Sequence, residues 1–300
     1  MSKSTGSILD KARSFIYNNA RLLDRRRFEY HFEGGSKEAV IEALRAYQNA
    51  DGGFGNALEP NLRCPHSQPV ATETALMIMD EIECFDSVVL EGIGRYLQAS
   101  VLPEGGLPFV TRSSRDYPHM PWWRTDKYDE PWINPTGRLI ALLYKQQTLP
   151  ELTKSEPFER CLSYVWTYLE TAKPIQYHDA VQWIAFLEHT PDRERAERIR
   201  PTLDEWLSQS GAIEKDPYAA GYVHKVLDWA PLVGDYVGRF MTDEEVKRHL
   251  QVLMEQQQDD GGWPINFDAI SEAGLQEWRG WVTVDRLRTL RSYGIEIDRV

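Results

Sequence analysis

The sequence predicts an all-α protein, an α/α toroid (barrel) of about five to six helical hairpins. Three observations predict it. A glycine-rich turn recurs along the chain, two kinds of helix alternate between the turns, and no strand-like alternation competes with them.

The turn comes first. Gln48-Asn49-Ala50-Asp51-Gly52-Gly53-Phe54-Gly55 recurs as Gln257-Gln258-Asp259-Asp260-Gly261-Gly262-Trp263-Pro264. A degenerate copy runs from Gln98 through Gly105-Gly106 to Phe109. The first two copies along the chain lie about 50 residues apart, and the last follows about three periods later, a spacing typical of stacked supersecondary units. The chemistry of the motif predicts a joint. A helix ends at Gln48, and two glycines supply backbone angles that a side chain forbids. The Asp hydrogen-bonds its own turn, and the aromatic plugs the space between hairpins. A catalytic Asp51 or Asp260 is the competing reading.

Helices are expected at 7–20, 37–48, 70–82, 87–99, 135–147, 157–171, 177–189, 193–208, 217–229, 242–257 and 280–292. Ala39, Val40, Ala43, Leu44 and Tyr47 share one helical face, as do Ala196, Ile199, Leu203, Trp206 and Leu207. These are amphipathic outer helices. Segments 70–82, 139–144 and 180–187 are apolar nearly all round, which predicts inner helices buried on every side. The same motif near both ends, with no linker between, predicts one domain over residues 1–300. Its longest irregular stretch, 102–134, carries Tyr117, Trp122, Trp123, Tyr128 and Trp132. A disordered segment is poor in aromatics, so this one is expected to be a folded lid or pocket wall.

Bulk composition narrows the function. At 42% apolar and 27% charged residues the chain is an ordinary globular one. A net charge of −12, with no basic run beyond Arg25-Arg26-Arg27, argues against nucleic acid and against anionic lipid as partners. Residues 1–10 are polar and no apolar run approaches a membrane-spanning length, so neither an export signal nor a membrane span is expected. Cys64, Cys84 and Cys161 form an odd set without close pairing. Reduced thiols and a cytoplasmic location follow as expectations. No Gly-x-Gly-x-x-Gly, P-loop, Gly-x-Ser-x-Gly or His-Glu-x-x-His motif occurs, and no cofactor is expected. The oligomeric state is left open.

The spacing of glutamine, double glycine and aromatic resembles the repeat of the terpenoid cyclase and protein prenyltransferase superfamily, the prenyltransferase and squalene oxidase-type repeat. That resemblance implies outer-to-inner joints of an α/α toroid, and a small, apolar or isoprenoid ligand in a central aromatic pocket. In class II terpene cyclases an acid of an Asp-rich motif opens an inner helix and protonates an alkene or epoxide. The comparable place here reads Pro69-Val70-Ala71-Thr72-Glu73-Thr74-Ala75-Leu76, with Glu73 where such an acid would stand and no Asp-x-Asp-Asp. Protein prenyltransferases hold zinc with an Asp-x-Cys pair and a distant His. No Asp-x-Cys occurs; Glu159-Arg160-Cys161 with His224 offers the ligand types, but Cys161 falls on an expected outer helix, so no metal is expected.

Four clusters could carry chemistry at the rims of inner helices. Arg63, His66 and Glu73 form the first, against an alternative in which Glu59 and Arg63 pair on a surface turn. Arg124, Asp126, Asp129 and Glu130 stand among Trp122, Trp123 and Trp132 in the lid, against an alternative of solvated charges. Tyr177-His178-Asp179 could supply a general acid or base, or a helix cap. Trp278, Trp281, Thr283 and Asp285 open the last helix, with Asp285, Arg286 and Arg288 read as an ion-paired face. Trp183, Tyr218, Tyr222 and Trp229 are expected on inner helices as core, with Tyr222 and Trp281 also candidates to line a pocket. Three functions fit: a cyclase- or transferase-like enzyme on an apolar or isoprenoid ligand, a non-catalytic toroid binding a small molecule or a protein, or a glycosidase or lyase with paired carboxylates.

Overall fold

The computed structural model describes residues 6–299. Among these, twelve α-helices dominate, and the sheet is a single antiparallel pair of two-residue strands, β1 (Leu107–Pro108) and β2 (Pro131–Trp132). The protein is all-α. The helices are α1 (Ile8–Asn19), α2 (Leu22–Phe32), α3 (Lys37–Arg45), α4 (Pro69–Glu81), α5 (Ser87–Ser100), α6 (Ile133–Lys145), α7 (Glu156–Thr171), α8 (Tyr177–His189), α9 (Arg193–Leu207), α10 (Val226–Trp229), α11 (Asp243–Glu255) and α12 (Glu272–Ser292). No described helix is long and apolar enough to cross a membrane.

Three helices depart from expectation. α2 was not expected, because its inward side mixes Leu23 and Phe28 with the buried ions Asp24 and Arg27. The helix expected at 217–229 shrinks to the four residues of α10, since Pro217 and Gly221 (φ +87°) interrupt the segment before it. Tyr218 and Tyr222 are therefore exposed rather than core. α12 begins at Glu272, well before residue 280, where Ser271 caps the amide of Gly274.

The chain divides into two compact units. One is continuous, Leu44–Trp206, and the other joins the residues up to Ala43 with those from Leu207 onward. In the continuous unit α6 packs between α4 and α8, and α5 and α6 each pack on α7. In the discontinuous unit α12 packs on α1 and α2, and α10 on α11.

The recurring turn has the same construction in all three places. In the first copy Asn49 and Gly53 close the turn, with the Asn49 amide donating to the Gly53 carbonyl at 2.8 Å. The Phe54 amide donates to Thr72 Oγ1 on α4 at 3.1 Å, and Gln48 Nε2 reaches the Val89 carbonyl of α5 at 3.1 Å. In the last copy Gln258 and Gly262 close the turn at 2.9 Å. There Trp263 donates to Thr283 Oγ1 of α12 at 3.1 Å, and Gln257 reaches Ile8 of α1 at 2.9 Å. The degenerate copy is closed by Leu102 and Gly106, and Leu107 donates to Thr136 Oγ1 of α6 at 3.0 Å. Leu107, not Phe109, is its plug, and Val101 rather than Gln98 stands in the glutamine position. Asp51 and Asp260 each accept the amide two residues on, at 3.0 Å, as structural members of their turns.

Segment 102–134 is folded. Its short 3-10 turns at Arg112–Asp116 and Pro121–Trp123 lie against the loop before α4, where Arg63 donates to the Pro118 carbonyl and Met120 to that of Asn61. Leu62, Cys64, Val70, Val110 and Trp123 form the apolar core of this junction.

Candidate functional site

The continuous unit brings one polar cluster together inside apolar helices. α4, α6 and α8 are built from side chains that exclude water, yet each contributes polar groups near its first turns. Glu73 on α4 is buried, and its Oε1 accepts from Gln182 Nε2 of α8 at 2.7 Å. Arg138 on α6 lies 3.6 Å from the same oxygen through Nη1, which also meets Met77 Sδ at 3.1 Å. Asn134 Oδ1 completes the cluster at 3.3 Å from Gln182 Nε2.

Gln182 organises this group for a local reason. Asn134 interrupts the helical backbone of α6 at φ −91°, ψ 115°, so the first turn after it has amides without intrahelical partners. Gln182 Oε1 takes one of them, the Arg138 amide, at 2.6 Å. Gly137 allows this approach, since a Cβ there would stand 2.9 Å from that of Gln182. With its carbonyl committed to α6, the amide nitrogen of Gln182 is presented to Glu73. The carboxyl of Glu73 is held above the usual carboxylate range by burial, against the opposing pull of Arg138 and of the Gln182 hydrogen bond. Its Oε2 has no hydrogen-bond partner among the described residues.

A second polar layer repeats the arrangement seven residues further along each helix. Asp80 of α4 pairs with Lys145 of α6 at 2.7 Å. His189 of α8 feels both charges, and burial followed by Lys145 lowers its pKa. This layer is a closed ion pair beside an imidazole whose charged form burial disfavours. The Glu73 layer is not closed.

The other expected residues are placed elsewhere. Asp179 is buried and raised by burial, and its Oδ2 accepts the Ile175 amide ahead of the helix at 3.4 Å. Its charge is felt by Tyr164 and Tyr168, which puts it on the α7 side of α8. His178 is half-buried edge-on to Tyr177, with ring centroids 5.3 Å apart. His66 is exposed, with Nε2 3.2 Å from the Tyr117 hydroxyl. Glu59 is buried rather than on a surface turn and accepts from Trp123 Nε1 at 3.1 Å. Asp126 and Asp129 are exposed, and Asp129 pairs with Arg112, also exposed, at 2.7 Å. Trp123 and Trp132 both stack on Phe109, at 5.0 and 5.2 Å, while Trp122 stays on the surface. In the discontinuous unit Tyr222 is exposed beside His224 and Phe267, and Trp281 lies under the Arg27 guanidinium at 4.0 Å. Cys161 is buried on α7, its thiol pushed up to about 12 by burial. Among the described residues no group of three or more His, Cys, Asp or Glu side chains could hold a metal ion.

Arg138, Gln182 and Asn134 are the members of the cluster that sequence reasoning missed. A signal existed for two of them: Gln182 is the one polar side chain between Ala180 and Leu187, and Arg138 directly precedes an apolar run. No protein-family model matches the chain, and no curated protein matches it.

Proposed function

We propose that the chain is an α/α toroid of the terpenoid cyclase and protein prenyltransferase type, and an enzyme whose working centre is the Glu73 cluster. In this reading Glu73 transfers a proton to or from a small, largely apolar ligand. The toroid is supported by the three turns, each of which binds the next buried helix through a threonine and docks on the following outer helix. The last turn takes α1 as that following helix, as successive hairpins arranged in a ring require.

The observation that carries the reading is the state of Glu73. It is a desolvated carboxyl with one oxygen fixed by Gln182 and the other without a partner among the described residues. Burial favours the protonated form of this carboxyl, the form that a general acid needs. The same shift makes it a weaker acid, so a carbonyl, enol or leaving-group oxygen is a better target than an isolated alkene. The sugar-enzyme reading gains nothing, because the lid carboxylates are solvated and two of them, Asp129 and Glu130, are committed to surface ion pairs.

Native mass spectrometry of the purified chain, followed by turnover assays on whatever apolar molecule accompanies it, tests the proposal. Glu73→Gln keeps the Gln182 contact and is expected to lower turnover by about 10²–10⁴-fold. Full activity in that variant would overturn the reading.

A further inference from the structure

We propose that Glu73 and Arg138 together form a recognition site for a carboxylate, the head group of a monocarboxylic acid with an apolar body, bound with uptake of one proton by Glu73. This rests on the reading of the cluster as the working centre and names what it binds.

Arg138 is a half-buried cation with incomplete satisfaction. Nη1 is turned toward Met77 and Glu73, and the separation from Glu73, 3.6 Å, is too long for a hydrogen bond. Its Nε and Nη2 have no hydrogen-bond partner among the described residues. That planar edge is the part of a guanidinium that matches a carboxylate with two parallel bonds. The second layer shows the contrast, since Lys145 meets its carboxylate, Asp80, at 2.7 Å, within hydrogen-bond distance. Within four residues of Glu73 on α4 and of Gln182 on α8, the partly exposed side chains are Met77, which touches Arg138, Val181, Ile184 and Ala185, with Thr74 and His178 as the polar exceptions. A small polar head with a hydrocarbon body fits such a lining.

Proton uptake follows from charge. A ligand carboxylate beside Arg138 would stand next to Glu73, and two carboxylates sharing one cation at this range do not both stay ionised. Above the pH at which Glu73 loses its proton in the free chain, Glu73, the more desolvated of the two, takes one proton from solvent on binding, and its O–H donates to the ligand carboxylate. No covalent bond to carbon forms or breaks. From α6 the charged group facing Glu73 is Arg138, and from α8 Glu73 meets only the neutral Gln182. Asp80, Lys145 and His189 lie two helical turns further on, and His178 and Asp179 about one turn back on α8.

The test uses the full chain with dodecanoate, dodecanamide and dodecyl phosphate, followed by thermal shift and by calorimetry in two buffers of different ionisation enthalpy. Dodecanoate is expected to raise Tm and to bind with uptake of about one proton, at least about tenfold tighter than the amide. Arg138→Met is expected to erase the preference for acid over amide while still binding the amide, which also shows that the variant is folded. Glu73→Gln is expected to bind dodecanoate without proton uptake. Equal binding of acid and amide overturns the carboxylate site but leaves an apolar pocket with a working Glu73. A response to the phosphate alone, or to none of the three, overturns the site as well; loss of turnover in Glu73→Gln is then the separate measure of the broader reading.

Discussion

Arg27 donates to Asp285 at 2.6 Å across almost the whole length of the sequence. The guanidinium has no exposed surface, Asp24 holds its other side at 3.2 Å, and the Trp281 ring lies against its face. Such a cation is stable only while both carboxylates remain. Arg27→Met is therefore expected to destabilise the protein by about 2–3 kcal/mol in urea unfolding, because it leaves buried Asp24 to Arg21 alone, at 2.9 Å.

The turn glycines are predicted to differ sharply from a loop glycine of similar backbone. Gly52 and Gly261 have φ of +91° and +95°, and a Cβ would stand 1.9 Å from the Gly92 carbonyl oxygen and 2.0 Å from that of Lys11. Substitution by Ala should cost about 3 kcal/mol or more at either position, combining backbone strain with overpacking. Gly221 has φ +87° and open space around it, so the same change there should cost only about 1 kcal/mol. Chemical denaturation of the three variants distinguishes these cases.

Each threonine at a joint satisfies a buried amide of the preceding turn. Thr72→Val, Thr136→Val and Thr283→Val keep the shape and remove the acceptor for Phe54, Leu107 and Trp263. A loss of about 1–3 kcal/mol is expected in each, with Ser at the same position retaining most of the stability. Equal behaviour of Val and Ser would show that packing, not the hydrogen bond, holds the joint.

Glu73 predicts a slope of stability with pH. Its folded-state pKa lies above the ordinary value of 4.5 because of burial, so the folded chain holds a proton that the unfolded chain has released. The associated stability is fully present below the unfolded value and is lost as pH rises through the folded one. Melting temperature followed over that interval should fall with rising pH more steeply in the wild type than in Glu73→Gln. A parallel pair of curves would contradict it.

Cysteine labelling should follow burial. Cys64 and Cys161 are buried and Cys84 is partly exposed, and none is in a disulfide. A thiol reagent at mildly alkaline pH is expected to modify Cys84 in the native protein and the other two only on unfolding, with Cys161 further protected by its raised pKa. Early reaction of Cys161 would mean that α7 opens readily.

Much of the helical order was legible from periodicity. The expected segments 70–82, 157–171 and 177–189 lie within a residue of α4, α7 and α8. What periodicity cannot see is a buried ion. Asp24 and Arg27 face inward as a pair, so α2 reads as polar although both are as enclosed as Phe28. Aromatic content misled in the opposite direction at Tyr218 and Tyr222, where a proline and a left-handed glycine undo a helix that their hydrophobicity suggested. For the cluster, Glu73 was reachable through its place after the first turn. Gln182 and Arg138 each left a mark as a polar residue at an apolar run, but their meeting with Glu73 was not legible, because it depends on three helices packing side by side.

The last turn makes the beginning of the chain a structural successor to its end. Lys11 of α1 receives Gly261, Gln257 holds Ile8, and the Leu9 amide donates to the Ile297 carbonyl at 3.0 Å. Synthesis therefore delivers α1 long before the surface it must dock against exists. The seam can close only when residues beyond 257 have emerged, so this unit is expected to reach its native packing only after that point of synthesis, with α1 waiting exposed until then.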